Sequence, residues 1–287
     1  MSETVYILLP VHNRCDVTRR FIDCLNAQTY QYFHLVLIDD GSTDGTSDMV
    51  YEHIAALTVI KGKGNWWWAG SLQQGYLWLQ KQNISQDSIV LIINDDTIFE
   101  PDFIENAVML LANQKRVLLC AYYFSLQDGR LIDSGLYIDW KLFTCIKTDN
   151  PNEINCLSTR GLFLRCSDFI EIGGFYPKIL PHYYSDYEFT IRAFNKGFKL
   201  FSDSKLQLRG DESTTGLHSI EAKTTWHTIK KQFSIKTISN PAVESVYILL
   251  ACPFPWLLIN LLRVWHNSFS TLKVAFLNDF RKMCSFN

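Results

Sequence analysis

The sequence predicts an α/β protein: a mostly parallel sheet flanked by helices, followed by a C-terminal helical, apolar appendage. Three observations lead there. Through roughly the first hundred residues, short apolar runs bounded by turn residues alternate with segments of helical period, the pattern of strands joined by crossover helices. Polar segments rich in acids and glycines follow three of those runs, where an open α/β sheet presents its ligand-facing loops. Beyond about residue 215 the character changes, and Val246 to Trp265 is nearly all apolar.

The apolar runs place strands at Val5–Leu9, Phe33–Ile38, Leu57–Ile60 and Ile89–Ile93. Between the first two, Asp16 can cap a helix whose inward residues are Val17, Phe21, Cys24 and Leu25, spaced by three and four. Met49, Val50, Ile54 and Leu57 repeat that spacing, and Leu72, Tyr76 and Leu79 do so after Trp68. From Val117 to Cys166 the pattern weakens into short strands and turns, such as Gln127-Asp128-Gly129, ending in an apolar stretch over Gly161–Cys166. A helix over Tyr184 to Asn195 is then stopped by Lys196-Gly197. The expected organisation is one domain over 1–215, divided near 115, and a helical segment over 216–287.

With 287 residues and 47% hydrophobic content, the chain can fill a substantial core. A net charge of -2 with interspersed signs argues against nucleic acid as a partner, because polyanion binding requires a basic face. Eight cysteines without a Cys-x-x-Cys pair give no zinc site. Met1 leads almost directly into an apolar strand with no basic region or cleavage site, so the expected compartment is the cytoplasm, with reduced thiols.

The apolar tail matches the roughly 20 residues of a bilayer crossing, but Pro253, Pro255, Asn260 and Arg263 interrupt it. Two readings stay open. Lys230, Lys231, Lys236, Arg263 and Lys273, with Trp256 and Trp265, suit a segment lying in a membrane interface. The other is a buried helix pair covering the sheet.

The first strand ends in Pro10-Val11-His12-Asn13, the second in Asp39-Asp40-Gly41-Ser42-Thr43-Asp44-Gly45, and the fourth in Asn94-Asp95-Asp96. Carboxylates beside an apolar core need a cation, a donor or water. Asp95 and Asp96 could accept ribose hydroxyls and hold a divalent cation on a nucleotide diphosphate, or they could simply open the helix near Pro101. Asp40 could accept the imide N–H of a uracil or thymine ring; equally, the Asp-Gly-Ser-Thr-Asp-Gly run makes a good turn with Asp44 as a helix cap. In Trp66-Trp67-Trp68 the three large rings cannot all face one core, so Trp67 or Trp66 is expected to line the crevice and stack on a base or sugar.

Taken in order, Leu9 to Asn13, Ile38 to Thr46, Gly64 to Ser71 and Asn94 to Asp96 resemble family 2 of the glycosyltransferases with the GT-A fold, over the first hundred or so residues. That resemblance implies a nucleotide-binding half over about 1–115 and an acceptor half over about 116–215. It implies that Asp40 reads the base, that Asp96 ligates Mg²⁺ or Mn²⁺, and that Pro10, Val11, Asn13, Asn65, Trp67 and Asp95 complete the donor site. Relatives start a helix with an acidic pair after a Gly-Gly-Phe turn. Here Gly173-Gly174-Phe175 precedes Ser185-Asp186-Tyr187-Glu188, so Asp186 aligns with the general base that deprotonates the acceptor hydroxyl in an inverting displacement. Glu188 could serve instead, or pair with Arg192.

One departure concerns the metal: where relatives often place a histidine, this chain has Arg209; His218 could substitute from a loop, or be a surface histidine with the metal held by Asp96, phosphates and water alone. The Trp-rich segment looks like those of bacterial enzymes of surface-polysaccharide assembly, including rhamnosyltransferases. A dTDP- or UDP-sugar donor, a saccharide or lipid-linked oligosaccharide acceptor, and a position at the inner face of the cytoplasmic membrane are the corresponding expectations. The competing readings are a nucleotidyltransferase, for which the chain lacks the glycine-rich, basic triphosphate loop, and a non-catalytic nucleotide- or carbohydrate-binding module.

Overall fold

The computed structural model describes residues 3–148, 150–211 and 224–284, with side chains to Arg281. The four expected strands are β1 (Val5–Val11), β2 (Phe33–Asp39), β3 (Leu57–Lys61) and β4 (Ile89–Ile92). They interleave with α1 (Cys15–Asn26), α2 (Thr46–His53) and α3 (Trp67–Lys81). β1 lies between β2 and β4, parallel to both, and β3 runs parallel on the far side of β2. Both faces of these strands are buried: Ile7, Leu9, Leu35 and Leu37 pack on one side, Leu8, Val36 and Ile38 on the other. Continuous apolar runs therefore replace the alternation of a half-exposed sheet.

β5 (Thr97–Phe99), α4 (Phe103–Leu111), β6 (Val117–Ser125), β7 (Leu131–Asp133), β8 (Leu136–Asp139), β9 (Thr144–Lys147) and β10 (Leu162–Arg165) come next. After them come α5 (Cys166–Ile172), α6 (Ser185–Asn195) and β11 (Lys199–Gly210). The large sheet has the order β3-β2-β1-β4-β10-β6-β11-β5, with β7 beside β6. It is parallel through the first four strands and mixed beyond them, since β10 is antiparallel to both β4 and β6. β8 and β9 form a separate antiparallel pair.

Two local details decide where the loops sit. α3 crosses the sheet so closely that a Cβ on Gly75 would lie 2.9 Å from Ile38 Cδ1 and 3.1 Å from Leu8 Cδ1, so a larger residue there would make those side chains shift. α1 begins one residue before the expected cap, Asp16, which lies instead in its first turn. The N–H of Cys15 is taken by Asp44 Oδ2 at 2.9 Å, a cap supplied from the loop after β2. The inward face of α1 turns accordingly to Thr18, Phe21, Ile22 and Leu25, leaving Val17 and Cys24 half-buried.

The tail forms α7 (Thr225–Gln232), α8 (Pro241–Ala251) and α9 (Trp256–Cys284), with the prolines confined to the elbow before α9. Asn240 caps α8 through the N–H groups of Ala242 and Val243. Tyr247, Ile248, Ala251 and Val264 pack against Leu136, Ile138 and Ile191, so the helices rest on the small sheet and α6 and not across the large sheet. Their other side is apolar and exposed: Phe254 at 85%, Leu262 at 72%, Leu258 and Phe269 each at 62%. Among the described residues, no helix is long and apolar enough to cross a membrane.

Candidate active site

Parallel pairing aligns the ends of β1, β2 and β4 along one edge, and the loops after them are tied together there. The Asp40 N–H donates to Val11 O at 3.0 Å. The Asp40 carboxylate accepts three backbone N–H groups, from Gly64 (2.8 Å), Asn65 (3.2 Å) and Trp66 (2.7 Å), so it fixes the turn that opens α3. That turn is pressed onto the end of β2: a Cβ on Gly62 would stand 2.4 Å from Asp40 Oδ1. His12 Nδ1 donates to Asp40 O at 2.7 Å. Asn13, with a left-handed φ of 51°, accepts the Thr43 N–H through Oδ1 at 2.8 Å and donates its own N–H to Ser42 Oγ at 2.9 Å. Pro10 is half-buried and Val11 is 4% exposed. Asp39 is occupied internally by the Ser42 N–H at 2.7 Å and the Ser47 hydroxyl. Beside this loop opens a cavity of about 380 Å³ lined by Asp39, Gly41, Ser42, Thr46, Lys61 and Gly62.

The acids after β4 meet a residue that the sequence did not single out. Arg14, the first residue after Pro10-Val11-His12-Asn13, reaches Asp96 Oδ2 with Nη2 at 3.1 Å and Asp95 Oδ2 with Nε at 3.4 Å. Its position, a cation opening the helix after one polar strand end, was the available signal. Asp95 is 4% exposed and accepts Thr18 Oγ1 at 2.9 Å. Burial raises its pKa to about 6, against the lowering effects of Arg14 and the Thr18 hydrogen bond. Asp96 stays more open, and the neighbouring Asn94 Oδ1 is buried with no hydrogen-bond partner. The Asp96 carboxylate and the Asn94 amide oxygen are each hard-oxygen donors of the kind that Mg²⁺ or Mn²⁺ takes. Among the described residues no cluster of three His, Cys, Asp or Glu side chains could enclose an ion, so phosphate oxygens would complete the shell. Arg209 pairs with Glu100 at 3.1 Å, and His218 lies outside the described residues.

Asp186 occupies the first turn of α6, where the helix N-terminus favours a carboxylate. It is partly buried, and burial raises its pKa to about 6, while the Tyr187 N–H and the charge of Arg160 hold it down. Arg160, in the loop before β10, is a second such residue, with no motif to mark it in the sequence. Glu188 is buried at 3% and closes a bidentate pair with Arg192 (2.8 and 3.0 Å). Arg192 also donates to Ile172 O and Gly174 O, which makes Glu188 part of the support of the Gly-Gly-Phe turn.

Trp67 joins the two halves. It takes a left-handed φ of 57°, is 36% exposed, and its ring lies 5.9 Å from that of His182, while Lys236 Nζ sits 5.7 Å above it. The Ala69 N–H donates to Pro181 O at 3.0 Å, and Ser185 Oγ to His182 O at 2.6 Å. Trp66 and Trp68 are half-buried against the core, and Trp68 Nε1 donates to Thr159 Oγ1 at 3.3 Å. Contacts therefore run unbroken from Asp96 through Arg14 and the Asp40 turn to the segment opening α6.

A mixed α/β sheet whose parallel half ends in Asp40 and the Asp95-Asp96 pair, with an acid-opened helix packed on its far half, is the GT-A fold. The chain belongs to glycosyltransferase family 2, whose family model matches residues 6–169. It is similar to the glycosyltransferase GlyG of Streptococcus pneumoniae, 20% identical over 134 residues, which are 45% of this chain and 42% of that protein. The match thus spans less than half of that relative. Among solved structures it resembles the mannosyltransferase PcManGT of Pyrobaculum calidifontis, in complex with GDP-Man and Mn²⁺ (TM-score 0.59, 15% identity, 95% of this chain and 73% of that one). It also resembles residues 1–349 of TarS from S. aureus with UDP-GlcNAc (TM-score 0.59, 17% identity, 92% and 72%).

Proposed function

We propose that this protein transfers a sugar, with inversion, from a nucleotide-diphosphate donor to an acceptor hydroxyl, Asp186 acting as the general base. The observation that carries this reading is Asp186 itself: a carboxylate at a helix N-terminus, tied by contacts to the donor-side loops, with a pKa near the range in which it can both accept and release a proton. Asp40 and the turn it holds would bind the base, with Trp67 stacking on base or sugar and Pro10, Val11, Asn13 and Asn65 forming the floor of the donor site. Asp95 would accept ribose hydroxyls. Asp96 would hold Mg²⁺ or Mn²⁺, which when bound supplies charge neutralisation to the departing diphosphate. Arg14, released from Asp96 on donor binding, would lend its guanidinium to the same phosphates.

The resemblance of the Trp-rich segment favours a dTDP- or UDP-sugar, dTDP-rhamnose included, and a role in bacterial surface-polysaccharide assembly on a saccharide or lipid-linked acceptor. The exposed apolar side of α8 and α9, flanked by Lys230, Lys231, Arg263 and Lys273, supports peripheral contact with the inner face of the cytoplasmic membrane. Purified protein given a panel of UDP-, dTDP- and GDP-sugars with Mg²⁺ or Mn²⁺ should release nucleoside diphosphate. Release of pyrophosphate from a nucleoside triphosphate and a sugar phosphate would establish a nucleotidyltransferase; tight binding without turnover on any acceptor would leave a binding module.

A further inference from the structure

A second cavity, of about 430 Å³, lies where the cap of α6 meets the C-terminal helices, and it shares no lining residue with the donor-side loops. Tyr184 contributes from the cap of α6, Gln232 from the end of α7, Glu244 from α8, and Asn267, Ser268 and Thr271 from α9. Its size is within the roughly 300–1,000 Å³ typical of small-ligand sites.

Two of these groups are left without the partners that burial demands. Gln232 is 2% exposed; its Nε2 donates to Ser268 Oγ at 2.7 Å, but Oε1 has no hydrogen-bond partner. Buried polar oxygens are nearly always satisfied, so an exception calls for an explanation. The carboxyl of Glu244, half-buried one helix away, forms no hydrogen bond or ion pair among the described residues, and burial raises its pKa to about 7. Gln232 Oε1 can only accept, while the Glu244 carboxyl, with its pKa raised to about 7, can accept or donate, so an occupant that both donates and accepts hydrogen bonds fits. The carboxamide of Asn267 and the hydroxyl of Thr271 can donate or accept, and Pro241, Val264 and the Tyr184 ring offer apolar surface. A ring bearing several hydroxyls and an apolar face meets all of these at once, whereas a phosphate would find no cation among the lining residues and an aliphatic chain would leave Gln232 Oε1 unpaired.

We propose that this cavity is a saccharide subsite for the acceptor, receiving a sugar unit of the acceptor chain other than the one that is extended. The assignment to the acceptor rests on the transferase reading above, because Tyr184 lines the cavity and stands two residues before Asp186. Gln232 Oε1 and Glu244 anchor ring hydroxyls, and the sugar chain leads from them past the α6 cap towards the base.

The test is saturation-transfer NMR on the full chain with methyl glycosides of glucose, galactose, mannose, rhamnose and N-acetylglucosamine, together with their common disaccharides, at concentrations to about 50 mM, since single sugar subsites bind weakly. Nucleotide binding is measured alongside by titration with UDP, dTDP and GDP. At least one glycoside should show transfer that excess nucleotide leaves unchanged. Gln232→Leu, which keeps the side-chain volume but removes the oxygen, should weaken that binding about tenfold. Asn267→Trp, at an exposed position on the rim, should abolish it without touching the buried polar groups. If a nucleotide binds but no glycoside does, or if both variants bind glycosides as the parent does, the subsite is refuted. If glycosides bind as stated and no nucleotide does, the transferase reading fails and the acceptor role falls with it.

Discussion

The loops after β1, β2 and β4 and the region around α6 to α9 satisfy their polar groups in opposite ways. On the donor side nearly every polar side chain is already used: Asp40 holds three backbone N–H groups, Asp39 two donors, Asn13 the Thr43 N–H, and Arg14 both Asp95 and Asp96. There Asn94 Oδ1 is the exception; on the other side, among the described residues, His182 Nδ1 and Gln232 Oε1 are buried without partners, Glu244 has no ion pair, and an apolar helix face is open. A loop set that is internally bonded is largely pre-organised, so a ligand has few contacts to displace, the Arg14–Asp96 pair among them. In a transferase that division is expected where the donor is a standard nucleotide conjugate and the acceptor is the particular part.

Several substitutions would break or sharpen the contrast. The largest effect on stability should come from Glu188→Ala, which removes the buried partner of the half-buried Arg192 and leaves that guanidinium with only the Ile172 and Gly174 carbonyls; a loss of about 2–3 kcal/mol is expected in denaturant titration. If stability barely changes, the Gly-Gly-Phe turn does not depend on that pair. Asp40→Asn keeps the shape but turns an N–H₂ group towards one of the three N–H donors, so a loss of about 1–3 kcal/mol and weaker nucleotide binding should appear together. Nucleotide affinity unchanged in that variant would mean that the turn over 62–66 is not part of the donor site.

The pH dependence is next in size. The pKa of Asp186 is raised to about 6, and a general base works only when deprotonated, so kcat/KM should fall as pH drops through about 6 and level off above it. Arg160 holds that pKa down, so Arg160→Gln should move the acid limb upward; a limb that stays in place would remove Arg160 from the site. The smallest effect concerns the membrane face. Leu262→Glu, at a position 72% exposed, should reduce co-sedimentation with anionic vesicles and leave thermal stability within about 0.5 kcal/mol. Equal binding by both proteins would take α9 out of any membrane contact.

Much of the donor half was legible in the sequence, because β1, β2 and β4 are short apolar runs buried on both faces and α3 and α6 have clean helical spacing with a glycine stop at Gly197. The strand ends named from the sequence do lie along one edge, and Glu188 forms the ion pair that was its alternative role. What stayed hidden depends on partners far apart in the chain. Asp44 caps α1 from the next loop, a bond that local cap rules could not assign, and so Asp16 was read as the cap. Arg14 becomes notable only once β1 and β4 are neighbours, and Arg160 only once the loop before β10 meets α6. Gln232 is an ordinary polar helix residue until α9 buries it. The tail departs from a helix pair buried on the sheet, because amphipathic helices with one face on α6 and the other open satisfy the same composition.

The account stands most directly on Asp186→Asn, a substitution that keeps the size and most hydrogen bonds of the side chain but cannot accept the acceptor's proton. Transfer should fall by about 10²–10⁴-fold while nucleotide affinity and folding stay as in the parent. A variant that transfers sugar at the parental rate would contradict the role given to this residue and, with it, the mechanism proposed for the chain.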